Sequence, residues 1–209
     1  MTKDIKKKII FASQNQLKMG FNIGSEGNIS FRDGSNVFVT RSGIEISKMS
    51  ADDICEVDIS GKIKNDMKPS TEIDMHLMLY RKRTDVSAIV HCHSMWASVL
   101  SCLRKKIPSF HYMVAEFGGI DIRCSKYATF GTKKLAELVF DATKNRKGCL
   151  IANHGQICLG RNVDDAMHLS SALEKLSKQY YFCLASKHIK LLSRDQMKDV
   201  VNSFASYKI

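Results

Sequence analysis

The stretch VSAIVHCHSMWASVLSCL, residues 86–103, changes period at its middle. Its first half is a β-branched apolar run suited to a buried strand; its second half spaces apolar side chains as a helix does. A chain that passes from strand to helix without a loop has to stack that helix on the sheet that holds the strand. Elsewhere, GNISFRDGSNVFVT (27–40) reads as two strands around Asp33-Gly34-Ser35-Asn36, and ICEVDISGKI (54–63) as a similar pair around Ser60-Gly61. Residues 4–20 carry Ile5, Ile9, Ile10, Ala12 and Leu17 at near-helical spacing and stop at Gly20. EIDMHLMLYRKR (72–83) sets Ile73, Leu77 and Tyr80 on one helical face behind Ser70 or Thr71 as N-cap, with Glu72 in the first turn. CLIANHG (149–155) is a second buried strand ending in a His and a Gly, and residues 169–186 form a long helix. Hairpins first and strand-helix alternation later predict an α/β protein built on one central sheet with helices on its faces.

At 209 residues the expectation is a single domain, 1–209, with one continuous core. No apolar stretch approaches the roughly 18 to 20 residues of a membrane span, and MTKDIKKKII lacks a signal-peptide core. Seven scattered cysteines without a C-x-x-C pair read as reduced thiols, so the expected location is the cytoplasm. The net charge of +11 suits an anionic partner. Its basic residues are spread out, with short clusters only at 6–8, 104–106 and 144–147 and no interleaved aromatics, so neither nucleic acid nor a membrane is expected. Charge alone does not choose the partner.

A strand sends residues i and i+2 to one face, so His91 and His93 project side by side while Cys92 points away. His154 also ends an apolar strand, and Gly155 after it would let the backbone turn beneath a ligand. Three neutral imidazoles suit zinc, with an open fourth position for catalysis. Glu72 offers a removable fourth ligand or a general base. Gly27-Asn28, Ser42-Gly43 and Ser70-Thr71 are small residues at turns, where amides and hydroxyls can converge on an anion. Each feature alone has an ordinary alternative: a histidine satisfied by a backbone carbonyl, a solvated carboxylate favoured by the helix dipole, a plain turn.

Together these stretches resemble the class II aldolase family, over nearly the whole chain. The matching motifs, in order, are EGNIS (26–30), TRSG (40–43), PSTE (69–72), HCH (91–93), IPSFHYM (107–113), YATFGT (127–132) and NHG (153–155). The resemblance implies a three-layer α/β/α domain with a largely antiparallel sheet, assembled as a homotetramer with active sites between subunits. It implies one Zn2+ per subunit held by His91, His93 and His154, with Glu72 as both displaceable ligand and acid/base. Asn28, Ser42, Gly43, Ser70 and Thr71 fall where the family holds the substrate phosphate. Tyr112 matches a tyrosine that reaches a neighbouring subunit's site, and Tyr207 one that closes over the aldehyde.

The implied reaction is reversible cleavage of a ketose 1-phosphate to dihydroxyacetone phosphate and an aldehyde. The block from IPSFHYM to YATFGT looks closest to the branch that acts on L-fuculose 1-phosphate and releases L-lactaldehyde, with a 5-deoxypentulose phosphate as the variant. Glu72 speaks against the related 4-epimerases, which have an aspartate there. HYM speaks against the methylthioribulose-1-phosphate dehydratases, although Glu116 lies near the region where those have a glutamate. Retention of all four ligand residues separates the chain from the non-catalytic adducin-type members.

Overall fold

The computed structural model describes residues 2–206. At its centre is a six-stranded sheet in the order β3-β2-β1-β4-β6-β5. The strands are β1 (Asn28–Asp33), β2 (Asn36–Thr40), β3 (Ile54–Asp58), β4 (Ala88–Cys92), β5 (Gly148–Ile151) and β6 (Gly155–Gly160), and all neighbours pair antiparallel. Around it pack α1 (Thr2–Lys18), α2 (Ile73–Lys82), α3 (Met95–Cys102), α4 (Lys133–Thr143), α5 (Val163–Ser186) and α6 (Arg194–Ser206).

Strand alternation divides the core between two faces. Ile89 of β4 joins Val37, Val57, Ile157 and Leu159 beneath Leu77 and Leu79 of α2 and Leu135 and Val139 of α4. Ala88 and Val90 point the other way, joining Ile29, Phe38 and Ile54 against Ile9 of α1 and Ala166 of α5. Leu100 of α3, Leu173 of α5 and Met197 of α6 cover Leu150 and Cys158 on that second face. The result is the expected α/β/α arrangement, with no side of the sheet open to water along β4 and β6, where every residue is buried.

Several local expectations change. The first hairpin closes as read, with Asp33 opposite Asn36 and Gly34 at φ +58 in a two-residue turn. The second is only half formed: β3 is a strand, but its return is a single bridge from Val57 to Ile63. Helix α2 begins at Ile73 with Glu72 itself as N-cap, and Ser70 contributes by accepting the Glu72 N–H through Oγ at 3.3 Å. The CLIANHG run is not one strand. β5 stops at Ile151, a tight turn follows with Asn153 at φ +54, and β6 begins at Gly155, so His154 sits in the turn. The backbone reversal falls to Asn153. Gly155 is needed for close approach, because a Cβ there would lie 2.4 Å from the Cys92 carbonyl oxygen. Cysteines 55, 92, 149 and 158 are buried, Cys102 is exposed, and all seven are free thiols. No described helix is long and apolar enough to cross a membrane.

Candidate metal centre and cleft

Register builds the centre. The β1–β4 pairing sets Asn28 opposite His91, and opposed residues share a face, so Asn28, Ser30 and His91 all look towards α2. The start of α2 delivers Glu72, and its next turns deliver His76 and Tyr80. Cys92 points to the opposite face, its Sγ 3.3 Å from Ser170 Oγ on α5. His93 follows just past β4, and the β5–β6 turn adds His154. The three imidazole centroids lie 4.8 to 5.0 Å apart, and one ring nitrogen from each falls within 4.8 Å of the others. Glu72 faces them, with Oε2 at 3.0 Å from His91 Nε2 and Oε1 at 3.6 Å from His154 Nε2.

Hydrogen-bond partners decide which atoms are available. His91 Nδ1 is 2.8 Å from the Gln156 carbonyl, which can only accept, so Nδ1 donates and Nε2 is turned into the centre. Burial alone would lower the His91 pKa; the Glu72 carboxylate and the Gln156 carbonyl outweigh it and raise it. Burial, and then the neighbouring His91, lower His93 and His154 to about 4, so both present neutral lone pairs at pH 7. Burial would raise Glu72, but His91, His154 and Asn28 hold it well below the usual carboxylate range. Three imidazoles and an ionised carboxylate form the N/O donor set of a zinc-type divalent cation. Glu72 Oε1 is buried without a hydrogen-bond partner, the kind of stranded acceptor that a cation satisfies. The residues fit a metal.

Behind Glu72 runs a buried chain of polar groups whose direction is forced. A carboxylate only accepts, so Asn28 turns Nδ2 to Glu72 Oε2 at 3.1 Å and its Oδ1 to His76 Nε2–H at 2.6 Å. His76 Nδ1 then accepts from Ser30 Oγ at 2.6 Å, and Ser30 accepts from the Tyr80 hydroxyl at 2.7 Å. Burial pushes His76 down to about 3, with His91 adding to it, so this imidazole is neutral. The other side of the centre is held through α5 and the loop that follows α1. Glu174 accepts from Ser94 Oγ at 2.6 Å and from the Trp96 and Ala97 N–H groups at 2.9 Å, capping α3. Asn22 Oδ1 accepts the His93 N–H at 3.1 Å.

Over the centre opens a cleft of about 390 Å3. Asn28, Ser42, Gly43, Ser70, Thr71, Glu72, His93 and His154 all line it, with His91 buried beneath. The small residues meet because two segments pair: Ser42 N–H donates to the Lys68 carbonyl at 3.0 Å, and Ser70 N–H to that of Thr40 at 3.1 Å. Tyr112 is not brought into this cleft; it is 51% exposed on the 3-10 turn Tyr112–Phe117 and stacks on His111. Tyr207 lies outside the described residues. Glu116 is buried away from the cleft, 2.5 Å from His168 Nε2. Sequence reasoning missed Glu26, Arg41, Tyr127, Phe130 and Asn153 in the lining, and His76 behind it. All five lining residues stand inside quoted motifs as letters given no role: Glu26 in EGNIS, Arg41 in TRSG, Tyr127 and Phe130 in YATFGT, and Asn153 in NHG.

Residues 7–181 match the family of the class II aldolase and adducin N-terminal domain. The 5-methylthioribulose-1-phosphate/5-deoxyribulose-1-phosphate aldolase of Rhodospirillum rubrum is 39% identical over 95% of this chain and 90% of its own. The L-fuculose phosphate aldolase of Haemophilus influenzae is 38% identical over 98% of this chain and 95% of its own. A solved L-fuculose 1-phosphate aldolase superposes with a TM-score of 0.93 at 33% identity, covering 97% of this chain and 96% of that one.

Proposed function

The chain belongs to the class II aldolase and adducin family and is a lyase, and from that premise we propose that it cleaves a deoxyketose 1-phosphate reversibly into dihydroxyacetone phosphate and an aldehyde, with one zinc ion per subunit. The observation that carries this reading is the convergence of three imidazoles on a buried carboxylate with one unsatisfied oxygen, at the floor of an open cleft. His91, His93 and His154 would hold the metal with Glu72, and Ser42, Gly43, Ser70 and Thr71 would seat the phosphate. Asn28, whose amide oxygen and one amide hydrogen are committed to His76 and Glu72, has one N–H left for it.

A bound divalent cation supplies Lewis-acid stabilisation of the negative charge that C3–C4 cleavage leaves on the three-carbon fragment. The chain does the proton work. Substrate lying between Glu72 and the imidazoles removes the charges that hold its pKa down while the side chain stays buried, so the carboxyl can hold a proton and hand it to C3. The C4 hydroxyl proton needs a second acceptor, and Tyr112 of a neighbouring subunit in a homotetramer would supply it; its 51% exposure on its own subunit supports that reading.

Tyr127 and Phe130, which line the cleft and are 55% and 66% exposed, bear on substrate choice. Aromatic walls suit an aldehyde that ends in an apolar group. L-Fuculose 1-phosphate, which releases L-lactaldehyde, is the first candidate; the relative of Rhodospirillum rubrum favours 5-deoxyribulose 1-phosphate as the second. The test is a coupled assay for dihydroxyacetone phosphate release from each, before and after chelation and with zinc restored. Chelator-sensitive release from either supports the reading, with the better kcat/KM naming the substrate; no release from zinc-loaded protein overturns it.

A further inference from the structure

Two carboxylates, Glu26 and Glu72, line the cleft, against one permanently cationic side chain among the described residues, Arg41. Hydroxyls and amides at Ser42, Gly43, Ser70 and Thr71 can hydrogen-bond a phosphate dianion but cannot neutralise it. Arg104 reaches the rim, with Nε donating to Asn153 Oδ1 at 2.7 Å and its guanidinium over the Tyr127 ring, but it is not itself among the lining residues.

Arg41 is held where that need arises. Its backbone bridges Pro69 and its N–H donates to the Asp53 carbonyl at 3.1 Å, so the pairing that brings Ser42 beside Ser70 also fixes Arg41. Guanidinium Nη1 is 3.0 Å from Asp53 Oδ1. Asp53 is itself anchored, its Oδ2 accepting from the Ser50 N–H at 2.9 Å and the Ser50 hydroxyl at 2.8 Å. The tether occupies one nitrogen, leaving Nε and Nη2 without an acceptor among the described residues, and the side chain stays 44% exposed. A guanidinium pinned at one corner with donors to spare is preorganised for the paired oxygens of a phosphate.

We propose that Arg41 is a specificity-determining residue that supplies the positive charge for the substrate phosphate and so selects phosphorylated ketoses. The role rests on the aldolase reading only for which phosphate ester arrives; the anion site stands on the cleft itself. Its test compares zinc-loaded wild type, Arg41→Met and Arg41→Lys in two measurements: calorimetric titration with inorganic phosphate alone, and steady-state kinetics with the ketose phosphate. Arg41→Met removes only the partly exposed ion pair to Asp53, so a small change in thermal unfolding is expected and is checked first. Arg41→Met should weaken phosphate binding and raise KM by about tenfold or more, with kcat within about threefold and partial recovery in Arg41→Lys. Equal phosphate affinity in wild type and Arg41→Met, as when the metal alone holds the anion, overturns the proposal, and so does a loss confined to kcat. If wild type cleaves no ketose phosphate, the aldolase reading fails while the phosphate titration still decides Arg41.

Discussion

A carboxylate that both meets a cation and carries a proton has to be buried and ionised at rest, and the surroundings of Glu72 meet both conditions. Gln at this position keeps an oxygen for Asn28 and leaves three imidazoles for the metal, but it cannot exchange a proton. Glu72→Gln is therefore expected to retain most of its zinc, read by atomic absorption, while turnover falls by about 10² or more; activity within a few-fold of wild type would remove Glu72 from the chemistry. His76 makes a separate prediction through pH. Its folded pKa, about 3, lies below the ordinary 6.5, so below pH 6.5 the unfolded chain binds a proton that the folded chain refuses. Stability must then fall as pH drops from about 6.5 towards 3, by up to about 1.4 kcal/mol per pH unit for this one group, and the effect ends below the folded pKa. Denaturant titrations of metal-free protein between pH 7 and pH 5 should show His76→Asn less stable at pH 7, because Asn28 loses its partner, yet with a flatter acid slope by about one proton. An unchanged slope would mean that His76 is not buried neutral.

At the scale of elements, the sequence was most legible where period and turn chemistry agree. The 27–40 hairpin and the helix after β4 appear as read, and the strand expected over 86–93 forms over Ala88–Cys92, because two-residue turns and β-branched runs are local signals. β6 was invisible for a physical reason: GQICLG is buried at every position, so it shows no alternation, and its opening glycine reads as a stop. The polar letters Asn28 and Ser30 carry no sequence signal of the contacts they make. Alternation ordinarily turns the polar side to water, whereas here it turns to His76 and Tyr80 in the interior. The same logic hid Glu174, a carboxylate some eighty positions from the helix it caps. Its three charge-assisted bonds hold the turn between β4 and α3, so Glu174→Ala should cost about 2 kcal/mol in unfolding free energy. The loss should also reach the metal through Ser94, which accepts from Gln156 at 2.7 Å, the residue whose carbonyl orients His91. Competition with a chromophoric chelator should show zinc held about tenfold less tightly; unaltered zinc affinity would confine Glu174 to stability.

Across the whole molecule, one subunit gathers the imidazoles, the carboxylate and the small residues at 42–43 and 70–71 in a single cleft, while its Tyr112 stands exposed outside it. If a neighbour's Tyr112 completes each cleft, two defective proteins can repair one another, since Glu72→Gln subunits still lend a tyrosine and Tyr112→Phe subunits still hold a carboxylate. Each variant alone should lose about 10² or more in kcat. Light scattering should give a tetramer for both, and their far-ultraviolet spectra should match wild type. Unfolded together at equal amounts and refolded into mixed rings, they should regain activity, because random assembly leaves about a quarter of the interfaces with an intact residue on each side. Mixing without unfolding supplies the control, as subunits that do not exchange cannot complement. Activity in the refolded mixture that stays at the mean of the two parents would place Tyr112 outside the neighbour's chemistry. Recovery near one quarter would instead show that the catalytic unit is the contact between two copies, with the metal on one and the second proton carrier on the other.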